Sequence, residues 1–224
     1  MDGGNVEINT FREDSRMGNK GFTLVEIMVA LALSGIVMAS IYMAFLSQQR
    51  SYLAQDQVSA MQQNIRAGLD IMTREIRMAG FDPSGTGNYN VLAASSDSFN
   101  FTADLNEDGG APGSGETFLY ELYDTDAGVK ALRRTPNGSA VAENIERLEF
   151  YYTLDDGSSS LTPADLDKIR SVQISILAKA GRPDRNFVNT ATYRSASGVD
   201  WGPADDNFRR RLLITTVQCR NMGL

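Results

Sequence analysis

From Phe22 to Leu46 the chain runs for 25 residues with a single charge, Glu26. As a helix this stretch would extend about 37 Å at 1.5 Å per residue, against a hydrocarbon core of roughly 30 Å. A secretory signal peptide has a shorter apolar core, about 7–15 residues, that ends at a small-residue cleavage site. Here the run is longer and continues into a helical pattern, so removal after it is not expected. A plain single-pass anchor accounts for everything except Glu26. A carboxylate at the centre of a membrane helix costs about 2.5–3.5 kcal/mol on insertion scales, and less near the interface. Ionisable groups inside such segments usually have a partner and a purpose.

Beyond Leu46 the pattern becomes one-sided. Ala54, Val58, Met61, Ile65, Leu69, Met72, Ile76 and Ala79 recur at steps of three and four, which draws one apolar stripe on a helix. The methionines in it are read as core packing rather than a cofactor pocket. Gly80 and Pro83 follow as stop signals, so one helix is expected over 22–79, with 22–46 as its membrane half. Downstream the period changes to two. Phe99 and Phe101 alternate with polar neighbours, as do Phe118, Tyr120 and Leu122; Leu148, Phe150 and Tyr152; Val172, Ile174 and Ile176; and Leu212, Ile214 and Thr216. The expected fold class is therefore α+β: a long N-terminal α-helix, membrane-spanning then amphipathic, its second half packed against an antiparallel β-sheet head over 80–224. Thr162-Pro163-Ala164-Asp165 has the residues of a helix start, so a short helix or turn is expected before the strand at Ile169. The stretch 181–208 is too long for a simple hairpin loop.

Composition narrows the chemistry. There is no histidine, which removes the usual general base, the commonest metal ligand and the Ser-His and Cys-His pairs. Net charge is −7, against a dedicated nucleic-acid binder, which would show a basic patch. The lone Cys219 cannot form an intrachain disulfide and reads as a small buried side chain. No carboxylate spacing marks a glycosidase pair, and an enzyme is not expected.

Lys20-Gly21 followed by Phe22-Thr23-Leu24-Val25-Glu26 resembles the class III signal of type IV prepilins and pseudopilins. That resemblance implies a pilin-like fold. It implies cleavage between Gly21 and Phe22 by a prepilin peptidase, N-methylation of Phe22, and a filament-assembly role for Glu26. Residues 1–21 would be the leader, long for a type IVa-like signal; a start at Met17 would leave a compact basic leader. The blocks QQNIRAGLDIMTREIRMAGFDP, DLNEDG, ENIERLEFYYTLDDG and FRRRLLITTVQCRN are similar to PilW-type minor pilins, with kinship to the J-type pseudopilin of type II secretion. The family implies a minor pilin that helps prime filament assembly near the tip. Its partners would be the other minor and major pilins, the inner-membrane assembly platform and a tip adhesin. Its location would be the bacterial inner membrane, single-pass with the head outside the cytoplasm, and then the extracellular pilus. A type II secretion pseudopilin and a calcium-stabilised adhesive head on a pilus stay open as alternatives.

Three features of the head invite a site reading. Asp104, Asn106 and Asp108, with Gly109 after them, reproduce the first half of a calcium loop. Position twelve holds Gly115 where a glutamate is required, with Glu116 one residue late and Asp124 or Asp126 as distant candidates. The plain reading is a polar hairpin loop turned at Asp-Gly. Arg209-Arg210-Arg211 could meet an acidic partner or lipid head groups, but a solvated strand entrance, with Asp205-Asp206 as counter-charge, is favoured. Trp201 is either an interface anchor or loop packing.

Overall fold

The computed structural model describes residues 21–113, 115–126, 128–136 and 138–223. The leader, with Lys20 and the Met17 start, lies outside the described residues except for Gly21. One helix, α1 (Leu24–Ile76), is followed by strands. The chain divides after Arg50 into two compact units.

In the first unit α1 is apolar on every side. Ile27, Leu31, Ile36 and Ile41 are all exposed, and the helix is long and apolar enough to cross a membrane. Ser40 returns its hydroxyl to the Ile36 carbonyl at 2.9 Å, so that polar group is satisfied within the helix.

In the second unit the stripe is buried where expected: Met61, Ile65, Met72, Ile76 and Ala79 are in the core. Gly68 joins them, because a Cβ there would stand 2.9 Å from the Ala142 methyl. The last turn tightens, with Met78 and Ala79 donating to the carbonyls of Glu75 and Ile76. Gly80 then takes a positive φ of 74°, as a helix stop prefers, and donates to the Thr102 carbonyl at 3.0 Å.

The head contains β1 (Val91–Ala94), β2 (Ser98–Thr102), β3 (Thr117–Asp124), β4 (Lys130–Arg134), β5 (Ser139–Glu143), β6 (Ile145–Leu154), β7 (Ser159–Ser160), β8 (Ile169–Lys179), β9 (Tyr193–Arg194), β10 (Asp200–Trp201) and β11 (Arg210–Gln218). The single expected sheet is divided. β1 to β5 form one antiparallel meander, β11-β8-β6-β7 form a second sheet, and β9 pairs with β10. Asn144, between β5 and β6, has φ +57°, a left-handed residue that breaks the extended run where the chain leaves one sheet for the other. Both large sheets and α1 share one core. Phe99 on β2 lies 5.5 Å from the ring of Tyr152 on β6 and 6.0 Å from Phe150, within the range of favourable aromatic pairs.

The phase of β11 differs from expectation. Leu213, Thr215 and Val217 lie opposite Ile176, Ile174 and Val172, whose side chains are buried, so these odd-numbered residues face the core. Leu212, Ile214 and Thr216 take the other face, with Ile214 exposed. Three consecutive apolar residues, Leu212 to Ile214, fit either phase. Register with β8 selects one, and a one-residue slip would turn every side chain over. The short helix or turn expected before the Ile169 strand is present, but it starts later than Thr162. A single 3-10 turn forms at Leu166–Lys168, with Asp165 at its cap position, and Thr162 donates its N–H to Ser160. Ile169 enters β8 immediately afterwards, leaving no room for a second turn.

The long connection 181–208 is tied down by polar contacts. Buried Glu149 on β6 accepts from the hydroxyls of Ser195 and Ser197 at 3.1 and 2.9 Å, and from the Ser197 N–H at 3.2 Å. Trp201 is buried within this connection.

Candidate functional site

Thr23 and Glu26 form a reciprocal pair at the start of α1. The Thr23 hydroxyl accepts from the Glu26 N–H at 3.2 Å. The Glu26 carboxylate accepts from both the Thr23 N–H and hydroxyl at 2.9 Å. This is the Thr-x-x-Glu capping box, which satisfies helix donors that have no partner one turn earlier. Its signal, a threonine three residues before a glutamate at the head of an apolar run, stands in the sequence and was not singled out there. Both contacts fall on Oε2, and a carboxylate has about four acceptor positions, so capping leaves it able to take a further donor. Phe22, Glu26, Ile27, Ala30, Leu31 and Ser34 line one shallow groove. Phe22 is 83% exposed. Gly21 has open space at its Cβ position among the described residues, so packing does not explain the glycine.

The head offers a second cluster. Asp104 and Asp108 come together as the loop reading expects, and Glu116 joins them: one oxygen from each lies within 4.8 Å of the others. Asn106 instead engages Asp108 through both ends of its amide. Its Oδ1 accepts the Asp108 N–H and its Nδ2 donates to Asp108 Oδ2, each at 3.0 Å. Burial, with Asp104, Glu116 and Asp108 close by, pushes the Tyr89 hydroxyl up to about 12.

The arginine run is divided three ways. Arg209 pairs with Asp184 at 2.8 Å, and Arg211 is exposed. The Arg210 side chain is only 3% exposed and is clamped by Asp206 at 2.7 Å and Glu146 at 3.0 Å. Those bonds hold the guanidinium charge above its ordinary range and draw Asp206 down to about 2. Arg210 thus has internal partners and is not presented to a ligand. Glu75 on α1, one charge in a run of ordinary helix residues, meets Arg134 at 2.7 Å and the Tyr120 hydroxyl. Burial, then Glu75, raises the Tyr120 hydroxyl well above its ordinary value. Cys219 is buried, which pushes its thiol up to about 12 and away from reactive thiolate.

A long helix leading into antiparallel sheets is the architecture of type IV pilins. A solved type IV-like pilin from Thermus thermophilus has this fold, with a TM-score of 0.52 and 14% identity over 74% of this chain and all of that one. Residues 16–42 match the prokaryotic N-terminal methylation motif, and residues 113–221 match the family described as Type IV Pilus-assembly protein W. No curated protein matches the sequence. The chain is a type IV pilin-like protein with a prepilin motif and a PilW domain.

Proposed function

We propose that this chain is a minor pilin, cleaved between Gly21 and Phe22 by a prepilin peptidase, methylated on Phe22 and incorporated into type IV pili near the tip. The observation that carries the reading is the first unit of α1: a helix exposed and apolar on all sides, opening on Phe22 and Glu26 inside a methylation motif. Before assembly the apolar half sits in the bacterial inner membrane, with the head outside the cytoplasm. In the filament, neighbouring pilins replace lipid around it. The prepilin peptidase and the assembly platform are the partners at the membrane. The PilW match supports a low-abundance priming subunit over a secretion pseudopilin.

Glu26 supplies register. Cleavage creates an α-ammonium on Phe22, and in a core without water an unpaired charge is expensive while a matched pair recovers much of that cost. The capping box holds the carboxylate at the helix start, so pairing with the amine of an adjacent subunit needs little reordering. Two substitutions separate the cap from the charge. Glu26→Val loses both, whereas Glu26→Gln retains the capping acceptor and loses only the charge. Both variants should be processed and inserted normally and then accumulate in the membrane fraction, with a drop of tenfold or so in sheared filaments, about 1.4 kcal/mol of assembly energy. Wild-type incorporation of Glu26→Gln would show that capping alone suffices and would defeat the pairing.

A further inference from the structure

The connection between β2 and β3 folds back on itself. It places Asp104, Asp108 and Glu116 around a point where each contributes one oxygen within 4.8 Å of the others. Asp104 is 0% exposed and Glu116 6%, while Asp108 stands at the solvent side. Each buried carboxylate is held by one oxygen and bare at the other. Asp104 Oδ2 accepts the Gly109 N–H at 3.2 Å. Glu116 Oε2 accepts the Gly113 N–H at 2.9 Å and the Tyr89 hydroxyl at 3.4 Å. Among the described residues, Asp104 Oδ1 and Glu116 Oε1 are buried with no hydrogen-bond partner. Among the described residues, the ion pairs of the head use other carboxylates, and no lysine or arginine pairs with any of these three.

Buried acceptors without partners are uncommon because desolvation is then uncompensated. Three carboxylates this close repel one another as well. A hairpin loop needs neither feature. A cation accounts for both, since it meets the bare oxygens and neutralises the cluster.

We infer that the head carries a calcium site built from Asp104, Asp108 and Glu116. The donors are all hard oxygen, with no imidazole or thiolate, which selects against zinc and copper. Calcium accepts carboxylates in flexible geometry and completes its six to eight ligands with carbonyls and water, which the exposed Asp108 side admits; magnesium demands a near-ideal octahedron. Asn106 orients Asp108 and is a positioning residue. The Asp104 N–H also donates to the Phe81 carbonyl at 2.9 Å, one residue after Gly80 is tied to Thr102. The ion therefore braces the corner where the helix hands over to the sheet.

The site is independent of the assembly reading, and it is measured on the full chain in detergent whether or not that chain enters filaments. Calcium at a hundredfold excess over Kd should raise the melting temperature above that in chelator by roughly 5–10 °C. Terbium should emit when tyrosine is excited, because Tyr89 touches the ligand shell, and calcium should quench that emission by displacement. Asp104→Asn and Glu116→Gln should each lose the shift and the emission, while Asn106→Ala should retain both with weaker affinity. The wild-type readings decide the matter even if a variant fails to fold. Equal melting in calcium and chelator, with no displaceable terbium emission, overturns the site. Equal stabilisation by magnesium overturns the choice of ion.

Discussion

Residues 24–50 and 51–76 belong to one helix and meet different solvents. In the first stretch Ile27, Leu31, Ile36 and Ile41 all lie exposed, and as far as Leu46 apolar residues leave no polar face. In the second, Ile65, Met72 and Ile76 are wholly buried while Arg66, Asp70 and Arg74 face outward. A helix apolar all round needs apolar surroundings all round, whereas one stripe needs one sheet. The two glutamates repeat the contrast. Glu75 is paired within the head with Arg134 and accepts a hydrogen bond from Tyr120, but among the described residues Glu26 has only its local cap at Thr23. The head is complete in itself on the helix's second half. The first half awaits lipid or other subunits.

The largest expected effect tests that division through packing. Ile65→Ala should destabilise the head by about 2–5 kcal/mol, the usual cost of a core truncation that leaves a cavity. Ile36→Ala, an equal truncation earlier in the same helix, should leave the head's melting temperature unchanged within about 1 °C, since it buries nothing there. Comparable losses in the two variants, followed by thermal melts in detergent, would break the comparison. A smaller effect sharpens it. Glu75→Gln removes the charge facing partly buried Arg134 and should cost about 1–3 kcal/mol. Glu26→Gln should leave the same melt where it was, and its consequence should be seen in filaments alone.

Much of this division is legible in the chain itself. The switch from all-round to one-sided apolarity beyond Leu46 and the alternation through Phe99, Phe118, Phe150 and Ile174 are local patterns that recur in the fold, and the helix expected to end near Ala79 ends at Ile76, with turns carrying the chain to Gly80. What escaped reading depends on neighbours distant in sequence. Leu212 to Ile214 carries two possible phases, and only pairing with β8 chooses. A single left-handed asparagine, Asn144, divides one sheet into two, and its type alone does not announce that conformation. Gly68 is set by the close approach of Ala142, from a strand some seventy residues on. The acidic loop was legible by its first half, Asp104 to Gly109. Glu116, one residue outside the twelve-residue pattern, stood open beside Asp124 and Asp126, and the path of the chain is what brings Glu116 to Asp104 and Asp108. The Thr23–Glu26 cap was fully local and was overshadowed by the more conspicuous charge in an apolar run.

The central claim is that the first unit of α1 enters a filament as a processed N-terminus. Peptide mapping by mass spectrometry of this chain from sheared, purified pili tests it most directly. The expected result is an N-terminal peptide that begins at Phe22 and carries one methyl group on its amine, consistent with a lysine-bearing leader left on the cytoplasmic side. A chain in assembled filaments that still begins at Met1 or Met17 would contradict it.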